Sequence, residues 1–159
     1  MLIDTASLAT LGGGIALAGG LAGSSLGIAV SGAAGAAMLG QDSKQLRNVI
    51  ILAALPMSRA FYAFIFLILI VTTVQPALAA MGNPSGAGFS VFAIGLMAAM
   101  AFGVSGAFQG SVCAAGICGL SKTNGRNLTN AIMLAVFVEL LAVLGLVFSI
   151  MALSMLGLM

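Results

Sequence analysis

Asn130-Ala-Ile-Met-Leu-Ala-Val-Phe-Val-Glu139-Leu-Leu-Ala-Val-Leu-Gly-Leu-Val-Phe148 is apolar apart from its first residue and one carboxylate, Glu139. A run of about 20 such residues is long enough to cross the hydrocarbon core of a bilayer as an α-helix. An acidic residue at the centre of a membrane helix costs roughly 2.5–3.5 kcal/mol on insertion scales, and such residues are usually functional. The stretch therefore predicts a transmembrane helix whose carboxylate serves an ion path, a proton relay or a structural ion pair.

The composition of the whole chain points to the same class of protein. Of its 159 residues, 62% are hydrophobic and 5% are charged, whereas a soluble domain carries roughly 25% charged residues. A chain this apolar cannot cover a water-facing surface, so lipid must be its solvent. The net charge of +2 is too small to indicate binding to nucleic acid. We therefore expect an integral membrane protein.

Four apolar segments are long enough to span a membrane. They lie at roughly 8–39, 48–79, 87–119 and 128–157. Turn-forming residues separate them at 40–47, 81–86 and 120–127. The sequence therefore predicts an all-α, multi-pass membrane protein with four transmembrane helices.

The basic residues indicate the orientation of these helices. Four of the five lie in the first and third breaks, and cytoplasmic loops of membrane proteins carry an excess of Lys and Arg. We therefore expect loops 40–47 and 120–127 to be cytoplasmic, with both termini on the opposite side.

The two halves of the chain look like copies of one helical hairpin. Asn48-Val-Ile-Ile-Leu-Ala53 matches Asn130-Ala-Ile-Met-Leu-Ala135 at four of six positions. Because each copy holds two spans, both copies have the same orientation in the membrane. We predict a first hairpin at 1–80 and a second hairpin, which carries the carboxylate, at 81–159.

The odd-numbered spans carry long ridges of small residues at a spacing of four, which keeps them on one helix face. The ridges are Gly19, Gly23, Gly27, Ser31, Gly35 and Gly95, Ala99, Gly103, Ala107, Ser111, Ala115, Gly119. Small residues let membrane helices approach closely. The even-numbered spans instead carry bulky side chains: Phe61, Phe64, Phe66, Phe137, Phe148. Two narrow inner helices and two wide outer helices make a wedge that favours closure into a ring, although a compact monomeric bundle is the alternative.

Three segments complete the pattern: Leu55-Pro56-Met-Ser58-Arg59-Ala-Phe-Tyr62, Ser105-Gly-Ala-Phe-Gln109-Gly-Ser-Val-Cys-Ala-Ala-Gly116 and Val138-Glu139-Leu-Leu-Ala-Val-Leu-Gly145. With the duplicated hairpin and the glycine ridges, they make the chain resemble the proteolipid ring subunit (the K or c subunit) of V-type and V/A-type rotary ATPases. The resemblance covers nearly the whole chain.

The resemblance implies a rotor ring of identical subunits that is surrounded by lipid and turns against a stator membrane subunit. Central-stalk subunits would contact loops 40–47 and 120–127, and ATP would be hydrolysed or made in a separate soluble head. This subunit itself would be non-catalytic and hold no permanent cofactor, and the coupling ion that it carries would be H⁺ or Na⁺. The sequence contains no P-loop pattern.

The resemblance also implies an ion-binding site. Glu139 takes the position of the ion-carrying carboxylate, and Gln109 that of a glutamine whose amide could ligate Na⁺ or donate to the carboxylate. Tyr62 matches a tyrosine that hydrogen-bonds the carboxylate, and the carbonyl of Leu55 matches an ion ligand near the break expected at Pro56.

Each of these positions also has a structural interpretation that the sequence leaves open. Gln109 could make an ordinary interhelical hydrogen bond, and Tyr62 could be an interfacial aromatic residue. Ser58 stands where sodium-binding members have a threonine hydroxyl, but it could equally bond its own helix. Met57 aligns with Glu139 in the repeat, so that each subunit would carry one site.

Arg59 departs from the pattern of the sodium-binding relatives, which have a glutamine ligand there. A guanidinium cannot ligate a cation, and it is effectively always charged. If Arg59 points at Glu139, it would substitute for Na⁺ and oppose the binding of either ion; if it points away, it could pair with a neighbouring subunit. This departure narrowly favours H⁺ over Na⁺ at Glu139 and Gln109.

Two other functions remain compatible with the sequence. One is a small self-contained channel or transporter with Glu139 and Arg59 in a central pore. The other is a structural tetraspan protein in which these two residues form a buried ion pair.

Overall fold

The computed structural model of the chain describes residues 4–82 and 84–159. Residue 83, within the predicted break at 81–86, and the first three residues lie outside this description. Within the described residues the chain forms six α-helices and no strand. They are α1 (Thr5–Leu39), α2 (Leu46–Ala54), α3 (Ser58–Leu69), α4 (Gln75–Ala80), α5 (Ser85–Cys118) and α6 (Leu128–Met155).

Four stretches of helix are long and apolar enough to cross a membrane: Thr5–Leu39, Ser43–Ala80, Gly86–Cys118 and Leu128–Met155. They agree with the four predicted spans to within a few residues at most ends. The all-α membrane fold expected from the sequence is therefore confirmed. We call these stretches the first to the fourth span.

The second span is interrupted, whereas the other three are each one continuous α-helix. A 3₁₀ turn at Leu55–Met57 separates α2 from α3, and a π turn at Ile70–Val74 separates α3 from α4. The first interruption lies where the sequence predicts a break. Pro56 has no N–H, so the carbonyl of Leu52 cannot receive its helical hydrogen bond from that position.

Backbone contact between α1 and α5 forms the inner layer of the molecule. A Cβ atom added to Gly19 would lie 2.6 Å from the carbonyl oxygen of Ala99, and one added to Gly106 would lie 2.7 Å from the carbonyl carbon of Gly23. Side chains larger than hydrogen do not fit at such distances. The small-residue ridges therefore bring two helices together, as expected where lipid supplies no hydrophobic force between them.

The bulky residues of the second and fourth spans divide into two groups. Four of them are more than half exposed: Phe61, Phe64, Phe137 and Phe148. Phe66 is fully buried in the core, so not every bulky residue of these two spans lies on the surface. Phe66 lies four residues after Tyr62 and seven after Arg59, and α3 turns this face inward.

The two basic loops lie at the same end of the molecule. A Cβ atom added to Gly125, in the loop between α5 and α6, would lie 2.8 Å from Nδ2 of Asn48, next to the loop between α1 and α2. At the other end, a Cβ atom added to Gly88, in the first turn of α5, would lie 2.9 Å from the carbonyl oxygen of Thr5. The chain therefore runs up and down four times, with both basic loops together.

Candidate functional site

Glu139 lies near the middle of α6, on the side of that helix that faces the first hairpin. Its side chain is 19% exposed, while neighbouring α6 residues such as Phe137 and Leu141 are more than 60% exposed. The carboxylate thus lies between the packed interior and the apolar surface of the molecule. It is partly exposed at that surface.

Three side chains from two other spans donate hydrogen bonds to this carboxylate. Tyr62 Oη donates to Oε1 over 2.6 Å, and Gln109 Nε2 donates to Oε2 over 2.9 Å. Arg59 Nη1 also donates to Oε2, in a direct ion pair. Three donors, two of them uncharged, satisfy a carboxylate that would otherwise be costly inside a membrane.

Gln109 is held in place by a second bond. Its Nε2 also donates to the carbonyl of Ala135 over 3.1 Å, one turn before Glu139 on the same face of α6. The side chain is fully buried, and its Oε1 has no hydrogen-bond partner among the described residues. The amide nitrogen therefore faces the carboxylate, and the amide oxygen remains available to a further donor.

Arg59 points into the site, which settles the alternative that the sequence left open. The residue is fully buried. Its Nη1 donates to Ser58 Oγ over 2.7 Å as well as to Glu139, and its Nε lies 3.3 Å from Ser105 Oγ. The guanidinium is thus held between α3, α5 and α6, and the arginine and the glutamate form a pair with no net charge.

Ser58 and Leu55 join the site through this arginine. Ser58 Oγ accepts from Arg59 and donates to the carbonyl of Leu55 over 3.1 Å. The hydroxyl therefore bonds its own helical segment, three residues back, as well as a functional side chain. Both interpretations that the sequence offered for Ser58 describe part of its geometry.

The 3₁₀ turn at Leu55–Met57 is anchored to the inner layer by Ser24, a residue that the sequence reasoning missed. Its hydroxyl donates to the carbonyl of Pro56 over 2.9 Å and accepts from the N–H of Ala60 over 3.0 Å. These two backbone groups are four residues apart, the spacing of an α-helical hydrogen bond. A side chain of α1 therefore bridges the interruption from which Ser58 and Arg59 project.

Ser105 is the second residue that was missed, although it begins one of the segments that carry the family resemblance. It lies four residues before Gln109 and hence on the same face of α5. That spacing could have indicated that it shares a site with Gln109. Ser24 gave a weaker signal, because hydroxyls are common among small residues of membrane helices.

The structure brings together the side chains of Glu139, Gln109, Tyr62 and Ser58, with Arg59 among them. The carbonyl of Leu55 is linked to them through Ser58. Met57, the repeat partner of Glu139, is 45% exposed. Within the described residues, no group of three or more His, Cys, Asp or Glu side chains could hold a metal ion.

This geometry suits a carboxylate that exchanges one partner for another. Two of its donors come from α3 and the third from α5, and one edge of the group lies toward the apolar surface. Such a carboxylate can hold a proton on a free lone pair, or it can be held by a cation.

Comparison with known proteins places the chain in a family. The family of the ATP synthase C subunit matches twice, over residues 11–70 and residues 92–152. Each match lies within one of the two predicted hairpins, and together they cover most of the chain. Each half of the chain therefore matches the same family separately, which agrees with the duplication inferred from the sequence.

A relative supports the same assignment. The chain is 30% identical over 155 residues to the A-type ATP synthase subunit K of Methanocaldococcus jannaschii. The matched region covers 96% of this chain and 64% of that relative, so this chain spans less than two thirds of the relative's length. Two matches in tandem, on a four-span fold with one carboxylate in the second hairpin, show that the chain belongs to the family of the ATP synthase C subunit.

Proposed function

We propose that this chain is a ring subunit of a rotary, A-type or V-type ATPase, in which Glu139 carries H⁺ across the membrane. Copies of the subunit would form the rotor. A stator membrane subunit would deliver and remove the ion, and central-stalk subunits would contact the loops at 40–47 and 120–127. The ATP chemistry would take place in a separate soluble head, and this subunit would be non-catalytic.

The observation that carries this proposal is the surroundings of Glu139. It is the chain's one acidic residue outside the polar edges. It lies at mid-span, partly exposed on the outer side, and receives bonds from Tyr62 and Gln109 of two other spans. A structural residue needs no exposure toward lipid, whereas a carrier must reach the stator at every turn.

The donor set favours H⁺ as the coupling ion over Na⁺. Tyr62, Gln109 and Arg59 all present O–H or N–H groups to the carboxylate, whereas a hard cation requires several oxygen ligands. A proton needs one lone pair on Oε1 or Oε2. Na⁺ would require Gln109 to turn its oxygen toward Glu139 and Arg59 to withdraw.

The same family membership supports the sidedness expected from the basic residues. Loops 40–47 and 120–127 would face the cytoplasm, where stalk subunits are located. Both termini would face the opposite side.

Dicyclohexylcarbodiimide, which reacts with protonated carboxyl groups in apolar surroundings, tests the proposal. We expect it to label Glu139 in membranes that contain the whole ATPase and to stop ATP-driven ion uptake. Glu139→Gln should remove both the labelling and the transport, while Met57→Gln, at the repeat-related position, should leave both intact. Transport that survives Glu139→Gln would contradict the proposal.

A structural tetraspan protein is the second candidate, because Arg59 and Glu139 do form a buried pair. In that case the two charges could be exchanged without functional loss. Ion flux through the purified subunit alone in liposomes would instead indicate a self-contained channel.

A further inference from the structure

Arg59 places a permanent positive charge at the carboxylate that is proposed to carry the ion. The guanidinium is fully buried and bonds three oxygens: Glu139 Oε2, Ser58 Oγ and Ser105 Oγ. It comes from α3, in the first hairpin, and reaches across to α6 in the second. This reach is possible because the 3₁₀ turn at Leu55–Met57 directs the start of α3 toward the site.

Nη1 of this guanidinium lies between two oxygens of the site, one from α3 and one from α6. Ser58 Oγ lies 2.7 Å away, and Glu139 Oε2 is in direct contact. Gln109 belongs to the same cluster, since its Nε2 bonds the same Oε2, and its buried Oε1 has no partner among the described residues. A carboxylate, a hydroxyl and an amide oxygen are the ligands that a hard metal cation takes in proteins.

We propose that Arg59 is a tethered cation that occupies the oxygen ligands a Na⁺ ion would need at Glu139, and so makes the subunit select H⁺ over Na⁺. This inference rests on the proposed ion-carrying role of Glu139. The pair has no net charge when no coupling ion is bound, so Na⁺ has no unpaired carboxylate to neutralise.

A proton can still load the site because it needs no shell of ligands. Oε1 accepts one bond, from Tyr62, and retains a lone pair on which a proton can form an O–H bond. Arg59 then keeps Ser58 and Ser105 as neutral acceptors for Nη1 and Nε, while its Nη2 has no partner among the described residues. Arg59 is thus a specificity-determining residue that acts on the ion through Glu139.

The test compares the rate at which dicyclohexylcarbodiimide labels Glu139 in NaCl and in choline chloride of equal ionic strength. It uses membranes that hold the whole ATPase, with the labelled residue identified by mass spectrometry. For the wild type we expect equal rates in the two salts. The side chain of Arg59→Gln is neutral and offers an oxygen, so we expect labelling of this variant to be about tenfold slower in NaCl. A tenfold effect corresponds to a Na⁺ concentration roughly nine times the Kd of the site for Na⁺, which leaves about one site in ten free.

Two control variants separate the effect of removing the positive charge from a general disruption of the site. Arg59→Lys keeps the tethered cation and should show no protection by Na⁺. Met57→Gln introduces the same amide side chain at a half-exposed position two residues earlier and should behave as the wild type. Arg59→Asn also removes the charge and offers an amide oxygen, so it extends the test if Arg59→Gln rings do not assemble; Na⁺ should again slow labelling.

The outcomes distinguish this inference from the proposed function. Protection of the wild type by Na⁺, or labelling of Arg59→Gln at equal rates in both salts, would overturn the selectivity role of Arg59. Equal labelling rates in both salts for an assembled Arg59→Asn ring would count against it as well. A wild-type ring in which Glu139 is not labelled at all would instead contradict the ion-carrying role itself.

Discussion

The second span, Ser43–Ala80, and the fourth span, α6, begin alike and then diverge. Asn48-Val-Ile-Ile-Leu-Ala53 and Asn130-Ala-Ile-Met-Leu-Ala135 share four of six residues. The second span is interrupted at Leu55–Met57 and again at Ile70–Val74, whereas α6 continues unbroken to Met155. The repeat position after this shared start is Met57 in one span and Glu139 in the other.

This difference shows how a duplicated hairpin divides one site between its copies. The unbroken α6 supplies the carboxylate and presents it near the apolar surface. The interrupted span supplies Ser58, Arg59 and Tyr62, which lie in the first turns of α3, directly after the 3₁₀ turn that contains Pro56. The first copy has Met57 at the repeat position of the carboxylate but contributes three of the side chains that surround Glu139.

The largest expected effect comes from breaking the charge balance between the two spans. Arg59→Glu would bury two carboxylates without a cation, and loss of one partner of a buried pair costs about 3–5 kcal/mol. We expect no assembled ring, measured by the size of the oligomer extracted from membranes.

The charge swap Arg59→Glu with Glu139→Arg sharpens this result. It restores one charge of each sign, so assembly should return in part. Ion uptake should not return, because the arginine at 139 cannot carry H⁺ and the new carboxylate lies in the interior. Recovered uptake in the swapped protein would support the structural role of the pair instead.

The next largest effect is expected from crowding α1 against the 3₁₀ turn at Leu55–Met57. A Cβ atom on Gly27 of α1 would lie 2.6 Å from Cβ of Pro56 and would also meet the carbonyl oxygen of Gly106. Gly27→Ala should therefore lower the free energy of unfolding by about 1–3 kcal/mol, as overpacking does elsewhere. Unfolding by sodium dodecyl sulfate in mixed micelles measures the change.

The same substitution at Gly32 is the matched control for Gly27. No atom lies within 4 Å of its added Cβ, and alanine is the better helix former. Gly32→Ala should leave stability equal or slightly higher in the isolated subunit. A similar loss at both positions would mean that the approach of α1 to Pro56 is not tight.

Tyr62→Phe removes one bond between the two spans and leaves the packing of the ring in place. Interhelical hydrogen bonds in membranes contribute about 1–2 kcal/mol in model peptides, and this one, 2.6 Å long, goes to a carboxylate. We expect a loss of that size in unfolding experiments, with the ion pair and the assembled ring retained. A loss as large as that of Arg59→Glu would show that the hydroxyl, rather than the guanidinium, holds the carboxylate.

Ser24→Ala should have the smallest effect. The N–H of Ala60 and the carbonyl of Pro56 can bond each other when the bridging hydroxyl is gone, so we expect a loss of about 0.6 kcal/mol, near the average for hydrogen bonds in membranes. Ser25→Ala is the control, since Ser25 Oγ is exposed and bonds its own helix at Leu21. Equal effects at the two serines would contradict a bridging role for Ser24.

Some parts of the site could be predicted from the sequence because they depend on local pattern. Glu139 was conspicuous as a charge in an apolar run, and the break at Pro56 follows from the missing N–H of proline. Ser105 and Ser24 were not predicted, because a hydroxyl on a ridge of small residues looks the same whether it bonds its own helix or another. The burial of Phe66 was not predicted, since composition does not give the rotation of a helix that is interrupted twice.

The sequence by itself determined that the chain lies in lipid, the number of spans, the duplication, the close approach of the first and third spans, and the presence of one carboxylate in the fourth span. These features follow from the length of the apolar segments, from the spacing of small residues and from the free-energy cost of a carboxylate in lipid. Each of them depends only on the order of residues along the chain. Only the tertiary structure decided that Arg59 faces Glu139. The direction of a long side chain that follows a 3₁₀ turn depends on which helices meet there, and Ser58 and Ser105 provide acceptors for it on that side.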